Sequence, residues 1–274
     1  MSGTLVLVAT PLGNLGDITV RSLEALRAVD AIVCEDTRHT QKLLSAYGIH
    51  RPLLSLPAFD EQRRVGPLVA RLEGGARLAL VSDAGSVGIS DPGEKLIAAA
   101  LAAGVAVEVL PGPCAAVGAL QVSGLPTARF AFVGFLPRKG EERRRALAEL
   151  GALELTLIVY ESPRRLGETL QDLLAAWGDR KAAVVRELTK LFEEVARGSL
   201  SELSVRFSGE VLGEVTLVVA GAAECTAEVS DADLDRALDA RASANLGTRA
   251  LAKVVAKELG LSARDVYQRL IRRQ

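Results

Sequence analysis

The chain has 274 residues, 49% of them hydrophobic and 4% aromatic, and 33 basic against 34 acidic side chains leave a net charge of −1. That length can bury one large core or two modest ones, while the near-neutral balance excludes a whole-molecule basic field and the few aromatics argue against an aromatic-rich stacking platform for RNA. Three scattered cysteines (Cys34, Cys114, Cys225) and two histidines (His39, His50) lack metal-ligand spacing, no apolar run reaches membrane-spanning length, and residues 1–4 lead straight into a strand pattern, so the expectation is a cytoplasmic protein with reduced thiols, no membrane span and no metal.

Residues 4–9 are a β-rich run ending in the Pro/Gly/Asn loop 10–17, and residues 19–29 carry a helix pattern. The loop is not a G-x-G-x-x-G fingerprint, so a nicotinamide-type site has little support. Residues 31–34 form a second buried strand that runs into Glu35, Asp36, Thr37, Arg38, His39 and Thr40. Six polar residues at the carboxyl end of a strand can meet a ligand. Equally, Asp36 or Thr37 caps a helix there, and Arg38 and His39 are merely solvated. Residues 53–57 are a third strand region, followed by an amphipathic helix through Glu73 that Gly74 and Gly75 close.

The centre of the chain is the stretch 78–93. An apolar run, Leu78 to Val81, passes into a loop holding Asp83, Asp91, Gly85 and Gly88 before Pro92 and Gly93 turn it towards a helix over 94–103. Glycine lets backbone lie against a ligand, and the two acids can accept hydrogen bonds from ribose hydroxyls or an amine, or cap the following turn. A strand over 105–110 ends at Pro111-Gly-Pro-Cys-Ala115, and a small-residue helix covers 116–123. Strands alternating with helices imply a mostly parallel sheet covered on both faces.

Residues 124–126 break the pattern and read as a linker between halves. Beyond them come strands over 130–135, 155–160, 182–185, about 192–196 and 213–220, with helices over 141–150 and up to Trp177. Strand-end loops carry Arg138, Lys139, Arg164, Arg165, Arg186 and Lys190, which can form a phosphate-positioning patch or simply be solvated. An acidic segment, 226–239, is a hinge or the start of a tail helix. From Arg241 onward eight basic and two acidic residues give a net +6, in two helix patterns, 248–259 and 262–272, joined at Gly260. Leu251, Val254, Val255 and Leu259, then Val266, Leu270 and Ile271, are their apolar faces, in the manner of a helix-turn-helix with basic residues outward.

Seven strand-end segments occur in one order: Thr10-Pro-Leu-Gly-Asn14, Glu35 to Thr40, Ser82-Asp-Ala-Gly85 with Ser90-Asp-Pro-Gly93, Pro111 to Ala115, Gly134-Phe-Leu-Pro137, Tyr160-Glu-Ser-Pro163 and Arg186-Glu-Leu-Thr-Lys190. Together they resemble the tetrapyrrole-methylase superfamily, and within it the branch that 2′-O-methylates a cytidine ribose of 16S ribosomal RNA in the small ribosomal subunit. The resemblance covers about residues 3–222, and the basic tail is similar to that branch's helical C-terminal domain.

What the resemblance implies is an α/β protein of two α/β domains (1–120 and 121–225) with a cofactor cleft between them, plus a helical domain over 226–274. It implies S-adenosylmethionine as methyl donor and a homodimer. By motif it puts Pro11, Asp83, Ala84, Gly85, Gly88, Cys114, Ala115, Tyr160, Glu161 and Leu188 at the cofactor. Methylating a ribose hydroxyl calls for a proton acceptor and a hold on the neighbouring phosphate. Asp36, Arg38, His39, Glu187 and Lys190, on strand-end loops of both halves, are the candidates. Two departures stand out. Ser86-Val87-Gly88 replaces the family's Thr-Pro-Leu and should loosen that loop. Phe59-Asp60-Glu61 replaces its His-Asn-Glu, and Phe59 either stacks on a base or, as is ordinary for an aromatic, sits in the core. A corrin-precursor methylase on the same fold and a non-enzymatic nucleic-acid-binding protein are the rival readings.

Overall fold

A computed structural model of the protein describes residues 3–223, 231–241, 247–259 and 262–273. Its first sheet comprises β1 (Thr4–Val8), β2 (Ala31–Cys34), β3 (Leu53–Ser55), β4 (Arg77–Val81) and β5 (Ala106–Leu110), in spatial order β3-β2-β4-β1-β5 with every pair parallel. The intervening helices are α1 (Val20–Ala28), α2 (Thr37–Ala46), α3 (Glu61–Glu73) and α4 (Glu94–Ala102). Because helices cover both faces, the central strands need no polar side and read as continuous apolar runs. The pleat sends alternate residues to opposite faces. Leu5, Val33, Leu78 and Leu80 pack with Leu72 and Leu96 on one side, and Val6, Val8, Ile32 and Ala79 with Leu26 and Leu44 on the other. Fully burying each such leucine contributes roughly 1.5–3 kcal/mol.

The second half forms β6 (Phe130–Phe135), β7 (Thr156–Glu161), β8 (Lys181–Arg186), β9 (Glu194–Ser199) and β10 (Val215–Val219), in order β6-β7-β10-β8-β9. Here β6 runs parallel to β7, whereas β10 is antiparallel to both of its neighbours, β7 and β8, and β9 is antiparallel to β8. Its helices are α5 (Ala115–Ser123), α6 (Gly140–Gly151), α7 (Leu166–Trp177) and α8 (Leu200–Arg206). Although α5 follows the first sheet in sequence, it packs on the second, with Ala116, Ala119 and Leu120 against Ile158, Val185 and Val218. The segment 124–126 is pinned rather than free: Thr156 Oγ1 donates to the Pro126 carbonyl (2.7 Å) and Leu125 packs beside α5. The sequence reading had no helix at α8. Ser199 and Glu202 form a capping box there, and Leu200 and Leu203 are buried.

Residues 1–222 form one compact unit and 223–274 another. In the second, α9 (Asp231–Asp239), α10 (Thr248–Leu259) and α11 (Ala263–Arg273) share a core of Leu234, Leu238, Leu251, Val255 and Val266. The acidic segment is therefore helical from Asp231; residues 226–230 and Gly260 lie outside the described residues. Two expected core positions are corrected. Val254 and Ile271 are 42% and 52% exposed; Ala252 and Ala256 take the inner face of α10, and Val266 and Leu270 that of α11. Arg269 is not a free outward cation either, since it pairs with Asp231 (3.0 Å) and Asp235 (2.9 Å). Among the described residues no helix is long and apolar enough to cross a membrane.

Candidate functional site

Parallel strands direct all their carboxyl ends to one side, and ligands of such sheets bind there. In the first sheet β4 lies between β2 and β1, which brings the loops after β1 and β4 together. Thr10 and Gly85 exchange backbone hydrogen bonds of 2.9 and 3.0 Å, and Thr10 Oγ1 donates to the Ser82 carbonyl. Gly85 holds φ at +79°, a conformation a side chain would strain. In the second sheet the antiparallel β10 begins beside the ends of β7 and β8, with Val215 opposite Glu161 and Arg186.

These loops enclose a cleft of about 430 Å³, within the ordinary range for a small-molecule site. Leu12, Ile89, Phe135, Val185, Leu188 and Val215 provide apolar walls, and Asp83, Asp91 and Glu214 the acidic ones. Phe132 and Phe135 meet the Tyr160 ring edge-on at 4.9 and 5.8 Å, and the Tyr160 hydroxyl accepts from the Ala116 amide at the start of α5. Burial first, then the Cys114 thiol, pushes the Tyr160 phenol up to about 12, so it stays neutral.

The acidic wall defines the electrostatics. Burial, followed by the charges of Glu35, Asp83 and Glu214, raises Asp91 to about 6. Burial and Asp83 likewise raise Glu35. Of these carboxylates Glu214 alone has an ion-pair partner among the described residues, and the wall formed with Glu35, Asp83 and Asp91 is suited to a ligand carrying positive charge. Among the described residues, no group of three or more His, Cys, Asp or Glu side chains has metal-binding geometry.

Of the sequence-derived cofactor residues, Asp83, Ala84, Gly85, Cys114, Ala115, Tyr160, Glu161 and Leu188 line this cleft; buried Pro11 and Gly88 do not. Glu161 has its carboxylate engaged elsewhere. That side chain is fully buried and accepts from the Ser162 amide (2.7 Å), Thr169 Oγ1 (2.6 Å) and the Arg165 guanidinium (3.3 Å). Ser86 also lines the wall, donating to the Pro113 carbonyl at 3.1 Å, and Val87 packs on the first core. Both anchors act against the loosening expected from the missing proline.

None of the five candidate chemical residues lines the cleft. Asp36 caps α2 through the Arg38 amide (2.8 Å), so the segment is a helix start, and its own amide donates to Asp83 at 3.3 Å. Arg38 is 88% exposed and forks onto Asp36, which that guanidinium holds well below the usual carboxylate range; His39 is exposed on α2. Lys190 bridges Glu187 (2.9 Å) and Glu214 (3.0 Å). Burial alone lowers the Lys190 pKa, but those two carboxylates reverse this and leave it raised. Glu187 and Thr189 adopt positive φ of 51° and 67°, and Leu188 between them packs on Gly118 of α5. Three of the six strand-end cations are neutralised, since Arg165, Arg186 and Lys190 pair with Glu161, Glu194, Glu187 and Glu214, while Arg138, Lys139 and Arg164 are exposed. Sequence reasoning missed Glu214, Phe135 and Ile89; only the fold brings the start of β10 to this side.

A family model described as Tetrapyrrole (Corrin/Porphyrin) Methylases matches residues 4–204. A protein of Micromonospora olivasterospora named ribosomal RNA small subunit methyltransferase I is 46% identical, covering 98% of this chain and 87% of that protein. One of the same name from Mycobacterium tuberculosis is 44% identical over 98% of this chain and 95% of its own length. A crystal structure of diphthine synthase superposes with a TM-score of 0.63 at 19% identity, over 80% of this chain and 90% of that one, which speaks for the fold.

Proposed function

The chain belongs to the tetrapyrrole methylase family, and from that premise we propose that it transfers a methyl group from S-adenosylmethionine to the 2′-hydroxyl of a cytidine ribose in 16S ribosomal RNA. What carries the reading is near-half identity, over almost the whole chain, to proteins named for methylating small-subunit ribosomal RNA. A homodimer working on the small ribosomal subunit belongs to the same proposal.

The cleft residues fit such a donor. S-adenosylmethionine, when bound, supplies a methyl group already activated on a positively charged sulfur, so the protein chiefly has to align and to handle one proton. Apolar walls at Leu12, Phe135 and Leu188 suit a flat nucleoside, and Asp83, Asp91 and Glu214 offset positive charge that bulk water would otherwise solvate. A carboxylate at the cleft takes the proton of the ribose hydroxyl. Asp91, raised to about 6, is better matched to that task near neutral pH than Asp36, which must first release Arg38. In this reading Asp36 orients Arg38, and Lys190, drawn from its carboxylate partners, holds the phosphate next to the acceptor.

The test is transfer of labelled methyl from S-adenosylmethionine to purified small subunits that lack ribose methylation, followed by nuclease mapping. Label on a single cytidine ribose is expected, with turnover strongly reduced in Asp36→Ala and Lys190→Ala. Cofactor binding by calorimetry without label on RNA would point instead to a corrin-type substrate. Wild-type turnover in both variants would remove those two residues from the mechanism.

A further inference from the structure

A second concave surface lies on the outer side of the first sheet, between its edge strand β3 and helix α3. It measures about 620 Å³ and is lined by Leu53, Leu54 and Ser55 on one side and by Arg63, Arg64 and Arg71 on the other, with Asp60 as its acidic group. Arg64 is already committed, to Asp60 at 2.7 Å and to the Ser55 carbonyl at 2.9 Å. Arg63 and Arg71 are exposed and have no carboxylate partner among the described residues. Eight residues apart on one helix, they lie about 12 Å apart along its axis, enough to engage more than one phosphate of an extended strand.

Phe59 immediately precedes Asp60, the acidic residue of this surface. Core burial was the ordinary expectation for it, and the structure corrects that: the ring is 93% exposed, in the short 3-10 turn before α3. The turn is held firmly from beneath. Glu61 is buried, and its carboxylate accepts from the Gly93 amide at 2.9 Å and the Lys95 amide at 3.2 Å. Gly93 ends the loop that carries Asp91 into the cleft, so one clamp ties the Phe59 turn to the cleft wall. An exposed aromatic ring on the turn that opens a helix bearing two unpaired guanidinium groups, clamped through Glu61 to the loop that lines the cleft, is the chemistry that receives single-stranded nucleic acid. A peptide strand added to β3 is disfavoured, because the free edge is three residues long and Arg64 occupies its Ser55 carbonyl.

We propose that the β3–α3 groove holds the single-stranded RNA flanking the methylated nucleotide, with Phe59 stacking on a base and Arg63 and Arg71 contacting phosphates. This rests on the reading of the substrate as RNA. The experiment uses the full chain and 16S ribosomal RNA transcribed in vitro, with binding measured across a salt series, alongside methyl transfer to small subunits and calorimetry with S-adenosylmethionine. Phe59→Ala is expected to weaken RNA binding roughly 5- to 100-fold, and Phe59→Trp, but not Phe59→Leu, to restore it. The double variant Arg63→Ala/Arg71→Ala should lower the salt dependence by about 1.4, at about 0.7 per phosphate on a single strand. KM for the subunit should rise while cofactor affinity stays unchanged. Wild-type methylation with RNA affinity and salt dependence untouched in these variants would overturn the groove while leaving the function standing, and would reopen the peptide alternative. A wild-type protein that binds cofactor but neither binds nor methylates RNA would sink both.

Discussion

Asp91 offers the sharpest test of the acidic cleft. Its carboxyl is raised to about 6 by burial first and then by Glu35, Asp83 and Glu214, against about 4 in the unfolded chain. A raised carboxyl pKa means that the fold disfavours the ionised form. The wild-type protein therefore loses stability as pH rises from about 4 to about 6, and the loss persists above that window. Two pH units of difference correspond to ~3 kcal/mol, and screening by solvent in an open cleft reduces this to ~1–2 kcal/mol. Asp91→Asn should accordingly stabilise the cofactor-free protein by that amount at pH 8, a rise in Tm of about 2–6 °C for a unit of this size. At pH 3, below both pKa values, it should have little effect. The same substitution removes a negative charge from the wall, so S-adenosylmethionine should bind it more weakly while the uncharged product, S-adenosylhomocysteine, is less affected. Calorimetry near pH 6 in buffers of differing ionisation enthalpy should show the wild type releasing protons on binding S-adenosylmethionine and Asp91→Asn releasing fewer. Equal melting temperatures at pH 8, together with equal proton release, would refute the account of the wall.

Three further outcomes follow from the packing around the cleft. Glu61→Ala leaves the Gly93 and Lys95 amides without their acceptor and should cost about 1–3 kcal/mol in denaturant unfolding, with weakened cofactor binding, because the freed loop carries Asp91. Thr169→Val cuts the bond to Glu161 Oε2 and strands Arg143 Nη2, which donates to Thr169 at 3.0 Å; a loss of about 1–3 kcal/mol with unchanged cofactor affinity would mark Glu161 as structural. Ser199→Ala removes the α8 cap and should lower stability by about 1 kcal/mol without affecting methyl transfer.

The contrast between what could and could not be read from the sequence has a physical basis. Period-two and period-3.6 patterns are local, so the strands and most helices stood out, and parallel pairing followed from their alternation. At α8 a local signal exists too: Ser199 and Glu202 stand at capping-box spacing around Leu200 and Leu203. The cleft was legible only where ligand-facing residues are themselves loop residues with unusual backbone, as at Asp83 to Gly85. Glu214 looks like any acid opening a strand, and nothing local says that the antiparallel insertion of β10 delivers it to the ends of β7 and β8. Charge pairing is non-local in the same way. Arg186, Lys190 and Arg165 occur in loops and suggest a free cationic surface, but their carboxylate partners come from other elements and claim them once the chain folds. Arg63 and Arg71, among the described cations without a carboxylate partner, are on an amphipathic helix where sequence alone assigns them to a solvated face. A charge becomes available to a substrate when the fold gives it no partner, and that is a property of the tertiary contacts rather than of the motif.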